Sequence, residues 1–345
     1  MSFSTSAMSG LLLTDVFVPT TRTKWTPSHV MIVAVSYGSF SKWDNGANDD
    51  VFESNPPSPL RHEPSRTCSR KRLTDPTVMN SHRPVTDTGY TEGVSCLMIT
   101  QPGRERFCAQ SVASFARQTH RMKELIIVHD GDLEFNRTLH RLTQHLGEKS
   151  VRIVREAPRN LGWLRNRSIE LAQYPFVCQW DDDDLNHHDR LALQLRALIQ
   201  EDAVACFLQD QWHLFEPGNL MFWDDWSVEP YPGNLIQGTL LARRDAVGTY
   251  PDLPRGEDTP MVLNLARLNR SIAVLRGYGW LNIYRYTGDN AWGFDHHRAI
   301  SAWKRLRTPA LLEKRPLIEE KLREYDLAQD RIIWPHDEGR FEVVL

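Results

Sequence analysis

No apolar run in this 345-residue chain is long enough to cross a bilayer; the stretch Val30 to Val35 falls far short. The N-terminus has no basic segment followed by a long apolar core, which argues against a secretory signal. An excess of positive charge is also missing. The net charge of −3 gives no reason to expect nucleic acid as an electrostatic partner. Cysteine is sparse: five residues, an odd number without CxxC spacing, which argues against a disulfide framework or a structural zinc site. Cys96 and Cys178 lie inside apolar runs and read as small buried thiols, so a reducing, cytoplasmic compartment is the default. Glycine-rich phosphate loops are lacking too. No GxxxxGK[ST] occurs, and the turn Thr100-Gln101-Pro102-Gly103-Arg104 is not GxGxxG. P-loop NTPases and dinucleotide-binding dehydrogenases thereby lose their main signatures.

What is present is the balance of a soluble globular protein, 41% hydrophobic and 25% charged, with length for one large domain or two. Residues 1–92 differ from the rest. They are rich in Ser, Thr, Pro and Asn, carry a basic patch at Arg70-Lys71-Arg72, and read as a disordered or loosely docked extension. Met79 is a candidate internal start. From Val94 onward strands alternate with helices. Strands are expected over 94–100, 124–128, 151–154 and 176–180, and helices follow each, with stripes such as Cys108, Val112 and Phe115 or Leu191, Leu195 and Leu198. Such alternation indicates βαβ units and a mainly parallel sheet, which binds ligands at the carboxyl ends of its strands.

Asp181 to Asp184 stand at one of those ends, directly behind Phe176-Val177-Cys178-Gln179-Trp180. Four adjacent carboxylates repel one another unless a cation or donors neutralise them, and the next residues, Leu185, Asn186, His187 and His188, do not. The economical reading is a site for Mg²⁺ or Mn²⁺, whose shell is commonly shared with substrate phosphates. The competing reading is a helix start, where one or two carboxylates serve the macrodipole and the cap. His187 and His188 are expected in the helix that follows.

Four blocks taken in order resemble the nucleotide-binding half of family-2 glycosyltransferases of the GT-A fold. They are Val94-Ser-Cys-Leu-Met-Ile-Thr100, Glu124-Leu-Ile-Ile-Val-His-Asp130-Gly131, Asn160-Leu-Gly-Trp-Leu-Arg-Asn166 and Gln179-Trp-Asp-Asp-Asp-Asp184. The resemblance implies an α/β, GT-A-like three-layer sandwich with a mainly parallel central sheet, preceded by the poorly ordered N-terminal segment. It implies a nucleotide-sugar-binding half over 93–210, an acceptor-binding and catalytic-base half over 211–308, and a C-terminal helix and tail over 309–345. The implied activity is metal-dependent, inverting transfer of a sugar from a nucleoside-diphosphate sugar, UDP-linked by expectation, to an acceptor hydroxyl.

The resemblance also implies roles for single residues. Thr100 would lie against the nucleotide. Asp130 would accept the imide hydrogen of a uracil or thymine base, although Asp-Gly also makes an ordinary turn. Arg165 would hold the nucleotide or pyrophosphate with Asn166 shaping the loop, a role for which a helix start competes. The aspartates take the DxD position, Asp183 on the metal, Asp181 and Asp182 around the ribose and metal shell, and Asp184 starting the helix. The family's first strand usually ends in Pro-Thr-Tyr-Asn-Arg, whereas this one ends in Ile99-Thr100-Gln101-Pro102-Gly103-Arg104.

Transfer with inversion needs a carboxylate to take the acceptor proton. In Arg255-Gly256-Glu257-Asp258-Thr259-Pro260 the resemblance makes Asp258 that base and Glu257 its neighbour; a helix N-terminus decorated with acids is the alternative. In Tyr286-Thr-Gly-Asp-Asn290-Ala-Trp292-Gly-Phe-Asp-His296-His297, His296 is the candidate metal ligand, and at most one of the two histidines can face the site. Trp292 and Trp226 are the expected acceptor walls, most other tryptophans being core. Residues 309–325 read as an amphipathic helix that packs on the domain, associates with a partner or lies on a membrane surface. Two rivals remain, a sugar nucleotidyltransferase and a non-catalytic nucleotide- or carbohydrate-binding protein on the same scaffold.

Overall fold

The structure, a computed structural model, describes residues 91–345 apart from 148 and 269. The expected extension and the Met79 start lie outside the described residues up to residue 90.

The first half alternates as its periodicity predicts. Strands β1 (Val94–Thr100), β2 (Lys123–His129), β3 (Val151–Arg155) and β4 (Phe176–Gln179) are joined through helices α1 (Glu105–Ala116), α2 (Leu133–Thr143) and α3 (Leu161–Leu171). Beyond them come β5 (Leu185–Asn186), α4 (Arg190–Gln200), β6 (Ala205–Leu208), β7 (Asp210–Phe215), β8 (Leu220–Asp225) and β9 (Leu241–Arg243). The chain closes with α5 (Asp258–Arg267), β10 (Ile272–Leu275), β11 (Asn282–Tyr286), α6 (Phe294–Lys304), α7 (Thr308–Glu313), α8 (Arg315–Leu322), β12 (Arg331–His336) and β13 (Gly339–Val344).

Seven strands form the larger sheet in the order β10-β6-β9-β4-β1-β2-β3. All its pairings are parallel except those of β9, which runs against both neighbours. Successive side chains point to opposite faces. Cys96, Met98, Leu125 and Ile127 pack with Val112, Phe115, Leu139 and Leu195 from α1, α2 and α4. Leu97, Ile126 and Val128 pack with Leu164 of α3 on the other face. Each such apolar side chain contributes about 1.5–3 kcal/mol when fully buried, so both faces must be covered. The result is the expected α/β three-layer sandwich with a mainly parallel central sheet.

A second sheet, absent from the sequence reading, has six strands in the order β13-β12-β8-β7-β11-β5. Trp212, Trp223, Trp280 and Trp334 fill its core and Trp180 that of the larger sheet, so five of the nine tryptophans among the described residues are structural. The helix expected over 309–325 is two helices. Pro316 in the first turn of α8 has no N–H to continue α7, and the chain breaks at Lys314. The tail then returns as the hairpin β12–β13 on the edge of this sheet.

Asp181 to Asp184 link β4 of the larger sheet to β5 of the smaller one. Gln209 makes a second link, between β6 and β7. The aspartates therefore sit where two sheets diverge, and α4 begins only at Arg190. This corrects two expectations. Asp184 does not start a helix, and His187 and His188 lie in the turn before α4 rather than within it.

Candidate active site

A cavity of about 750 Å³ opens at the carboxyl ends of β1, β2 and β4. Thr100, Asp130, Arg165, Asp181 to Asp184, Trp226, Glu257, Asp258, Trp292 and His296 all line it. Of the sequence-derived candidates Asn166 alone does not. Its amide brackets the loop before α5 instead, donating Nδ2–H to the Tyr250 carbonyl and accepting the Tyr250 N–H at Oδ1, each at 2.8 Å.

Each aspartate has its own environment. Asp181 accepts from Arg165 Nη2 (3.0 Å) and Gln179 Nε2 (2.8 Å). Asp182 is buried, accepting the Thr100 hydroxyl at 2.7 Å and a two-pronged contact from Arg104 Nε and Nη2, both 2.8 Å. Arg104 Nη2 also lies 2.5 Å from Asp183 Oδ2, which accepts Asn290 Nδ2–H at 3.0 Å. Asp184 Oδ1 faces the Arg285 N–H at 3.4 Å, while Arg285 Nε donates to the Asp183 carbonyl. Burial, reinforced by Asp182 and opposed by Arg104, pushes the Asp183 carboxyl up to about 6. Burial together with Asp183 raises Asp184 well above the ordinary carboxylate range.

The cations that quiet the run are thus arginines remote in sequence. Arg104 is held charged against its own burial by Asp182 and Asp183. No role at the aspartates was expected of it from its place just after the turn that closes β1. Gln179 and Arg285 carried no signal either.

Opposite the aspartates, α5 begins at Asp258, with Glu257 at its N-cap position. Glu257 is buried and accepts Arg165 Nε–H at 2.5 Å, so one guanidinium ties Glu257 to Asp181. Burial opposes the charge of Arg165, and Asp181 and Glu257 outweigh it, leaving the group firmly protonated. Asp258 shares no hydrogen bond with Arg165. Its Oδ1 accepts the Thr259 N–H at 2.8 Å, and burial pushes its carboxyl up to about 6, against Arg165 and with Glu257. The helix-start reading of these acids therefore holds for position and fails for exposure.

The third wall follows β11. Trp292, 39% exposed, stacks on His296 at 4.7 Å, and the Arg255 guanidinium lies over the same indole at 4.7 Å. His296 thus faces the cavity, while His297 is fully buried between His213 (3.0 Å) and the Tyr284 hydroxyl (3.4 Å). Burial lowers both imidazoles, His297 to about 3. Trp226 lines the rim under the Lys304 ammonium, 4.5 Å from its ring. Asp130 makes no side-chain hydrogen bond or ion pair among the described residues, and the neighbouring Gly131 N–H is donated to His129 Nδ1 at 3.2 Å.

Eight carboxylates and four guanidiniums line the cavity, a formal excess of four negative charges. An anionic phosphate ligand would meet net repulsion there unless positive charge entered with it. The hard oxygens of Asp181 and Asp183 are the donor type that Mg²⁺ or Mn²⁺ takes, and His296 stands on the opposite wall; these three are not among the described residues whose ligand atoms converge within 4.8 Å of one another. The positive charge present there is that of Arg104, seated on Asp182 and Asp183.

Residues 98–226 match the family described as Glycosyl transferase family 2. The chain carries a family 2 glycosyltransferase domain. The match runs from within β1 past the aspartates to the end of β8, and leaves α5 and Asp258 outside it. No curated protein matches the chain. Among solved structures it is similar to TarS of S. aureus, at 15% identity over 60% of this chain and 42% of that one, with a TM-score of 0.45. It is similar also to TarS 1–349 in complex with UDP-GlcNAc (16% identity, 68% of each chain, TM-score 0.46) and with UDP (15%, 68% and 80%, TM-score 0.44). The chain spans less than half of the longer TarS chain.

Proposed function

We propose that this glycosyltransferase domain transfers a sugar, with inversion, from a UDP-linked donor to an acceptor hydroxyl, Asp258 acting as base. The carrying observation is a half-buried carboxyl at the start of α5, facing an aspartate-lined cavity and tied to neither arginine nor metal ligand. Segment 93–210 would hold the donor, 211–308 the acceptor and base.

Asp130, which makes no side-chain hydrogen bond among the described residues, would accept the base imide N–H, and Thr100 would lie against the nucleoside. Asp183 and Asp181 would hold Mg²⁺ or Mn²⁺, with His296 completing the shell. When bound, the ion offsets charge developing on the departing diphosphate. Arg104, already oriented along Asp182 and Asp183, supplies fixed positive charge beside it. Arg165 is a positioning residue: it fixes Asp181 and Glu257 and thereby the loop that presents Asp258. Trp292 and Trp226 would flank the acceptor, whose oxygen attacks the anomeric carbon as the bond to the diphosphate breaks. The hydroxyl proton passes to Asp258 Oδ. The four thiols among the described residues are buried and free, which supports a reducing, cytoplasmic setting. No helix among the described residues is long and apolar enough to cross a membrane.

A sugar nucleotidyltransferase would want a glycine-rich basic loop after β1. Here that turn offers Arg104, whose guanidinium is already engaged by two aspartates. Asp258→Asn separates catalysis from binding. UDP should bind with unchanged affinity by calorimetry while transfer falls by about 10²–10⁴-fold; undiminished transfer would remove Asp258 as base and reopen the binding-protein reading.

A further inference from the structure

One face of the second sheet forms a floor to the cavity. Strands β7 and β11 run parallel, with Ile283 beside Trp212 and Tyr284 beside His213, so Asn282 stands beside Gln211 one step earlier. The rings of His213 and Tyr284 lie 4.8 Å apart. Side chains alternate along a strand, so Gln211, His213, Asn282 and Tyr284 share this face, on neighbouring strands about 4.8 Å apart. Trp212 and Ile283 point the other way, into the core. Gln211, Asn282 and Tyr284 all line the cavity.

The ionisable groups of this face are bonded to one another. His213 Nδ1 meets Asp224 Oδ2 at 2.9 Å, the Ser301 hydroxyl donates to the same oxygen at 3.0 Å, and His213 Nε2 lies 3.0 Å from His297 Nδ1. The two amides are not so occupied. Gln211 is 3% exposed and makes no side-chain hydrogen bond among the described residues. Asn282 is equally buried; it donates Nδ2–H to Asn186 Oδ1 at 3.1 Å, and its own Oδ1 has no partner among the described residues. Burial raises the Tyr284 phenol well above its ordinary value, and Asp184, Asp183 and Asp258 add to the rise, so this ring stands within electrostatic reach of both the aspartate run and the base. Buried amides are costly to leave unpaired, and their chemistry selects what pairs them. An amide both donates and accepts, as a hydroxyl does, whereas a phosphate only accepts and an aliphatic chain does neither. We propose that Gln211, Asn282 and Tyr284 are the floor of the acceptor subsite and hold a neutral polyhydroxylated unit, a sugar ring or an open-chain polyol, through its hydroxyls. Trp226 flanks it at the rim. This assignment rests on the sugar-transfer reading and narrows its acceptor.

The test is UDP release by the full chain from UDP-sugars with Mn²⁺, against methyl glycosides and their monodeoxy analogues, pentitols and hexitols, sugar phosphates, and aliphatic alcohols. Transfer should go to the neutral polyhydroxylated acceptors, and glycosides against alditols tell ring from open chain. Gln211→Leu and Tyr284→Phe should each raise the acceptor KM about tenfold or more, with kcat changed far less. Both should keep UDP affinity by calorimetry and the circular dichroism of the unmodified chain. Gln211→Leu should also lose discrimination against one monodeoxy analogue, a result that a merely structural role would not give. A preference for phosphorylated or aliphatic acceptors, or an unchanged KM in both variants, overturns the floor and leaves the transferase reading standing. Transfer to none of the acceptors by the unmodified chain overturns both.

Discussion

Asp258 and Glu257 are adjacent in sequence and opposite in situation. Glu257 is bound to Arg165 at 2.5 Å, whereas Asp258 makes no hydrogen bond to arginine and has its carboxyl raised to about 6 by burial, with Arg165 opposing. A base is active when deprotonated, so the rate should fall as pH drops through that value and level off above it. With metal saturating, kcat/KM should lose about tenfold per pH unit below pH 6 and be flat from about pH 7 to pH 8; a profile without that acidic limb removes Asp258 from the proton transfer. Metal saturation matters because Asp183 rises to about 6 as well, and a bound cation would hold it ionised. Neither value was readable from the acids themselves. Both arise from burial, which the residue types do not encode.

The loop before α5 is set by a close approach rather than by its own sequence. Gly162 in the first turn of α3 donates its N–H to the Leu253 carbonyl at 3.0 Å, and a Cβ there would stand 1.8 Å from the Pro251 carbonyl oxygen. Gly162→Ala must therefore push the 250–255 segment outward and carry Glu257 and Asp258 with it. Transfer should fall by roughly 10²-fold, a displacement near 1 Å being enough, while the fold persists; turnover close to the unmodified level would show that the loop is not positioned this way. In the block Asn160 to Asn166 the helix start was legible, and Arg165, expected against the nucleotide, is bonded to Asp181 and Glu257. The use of Asn166 was not legible, because its partner, Tyr250, is 84 residues away. Asp184 was misjudged for a related reason. A short strand, β5, pairs with β11 across the molecule and delays α4 to Arg190.

Across the whole molecule, two sheets part at the aspartate run, and the cavity lies where they do. Its excess of negative lining charge makes one prediction at this scale. Calorimetry should show UDP affinity falling by an order of magnitude or more when Mn²⁺ or Mg²⁺ is chelated, and Asp183→Asn should abolish the difference. Equal affinity with chelator present would mean that Arg104 alone carries the diphosphate.

The sequence by itself determined the larger sheet, since alternation of strand and helix is a local pattern that follows from the period of each element. It also determined that the carboxyl ends of those strands carry Thr100, Asp130 and the aspartates. Only the tertiary structure decided how four adjacent carboxylates coexist. Arg104 reaches Asp182 across 78 positions, and one guanidinium, Arg165, joins Asp181 to Glu257, 92 positions beyond itself. Charge neutralisation in a buried site acts through space, and no local pattern records which distant side chain will be folded into reach.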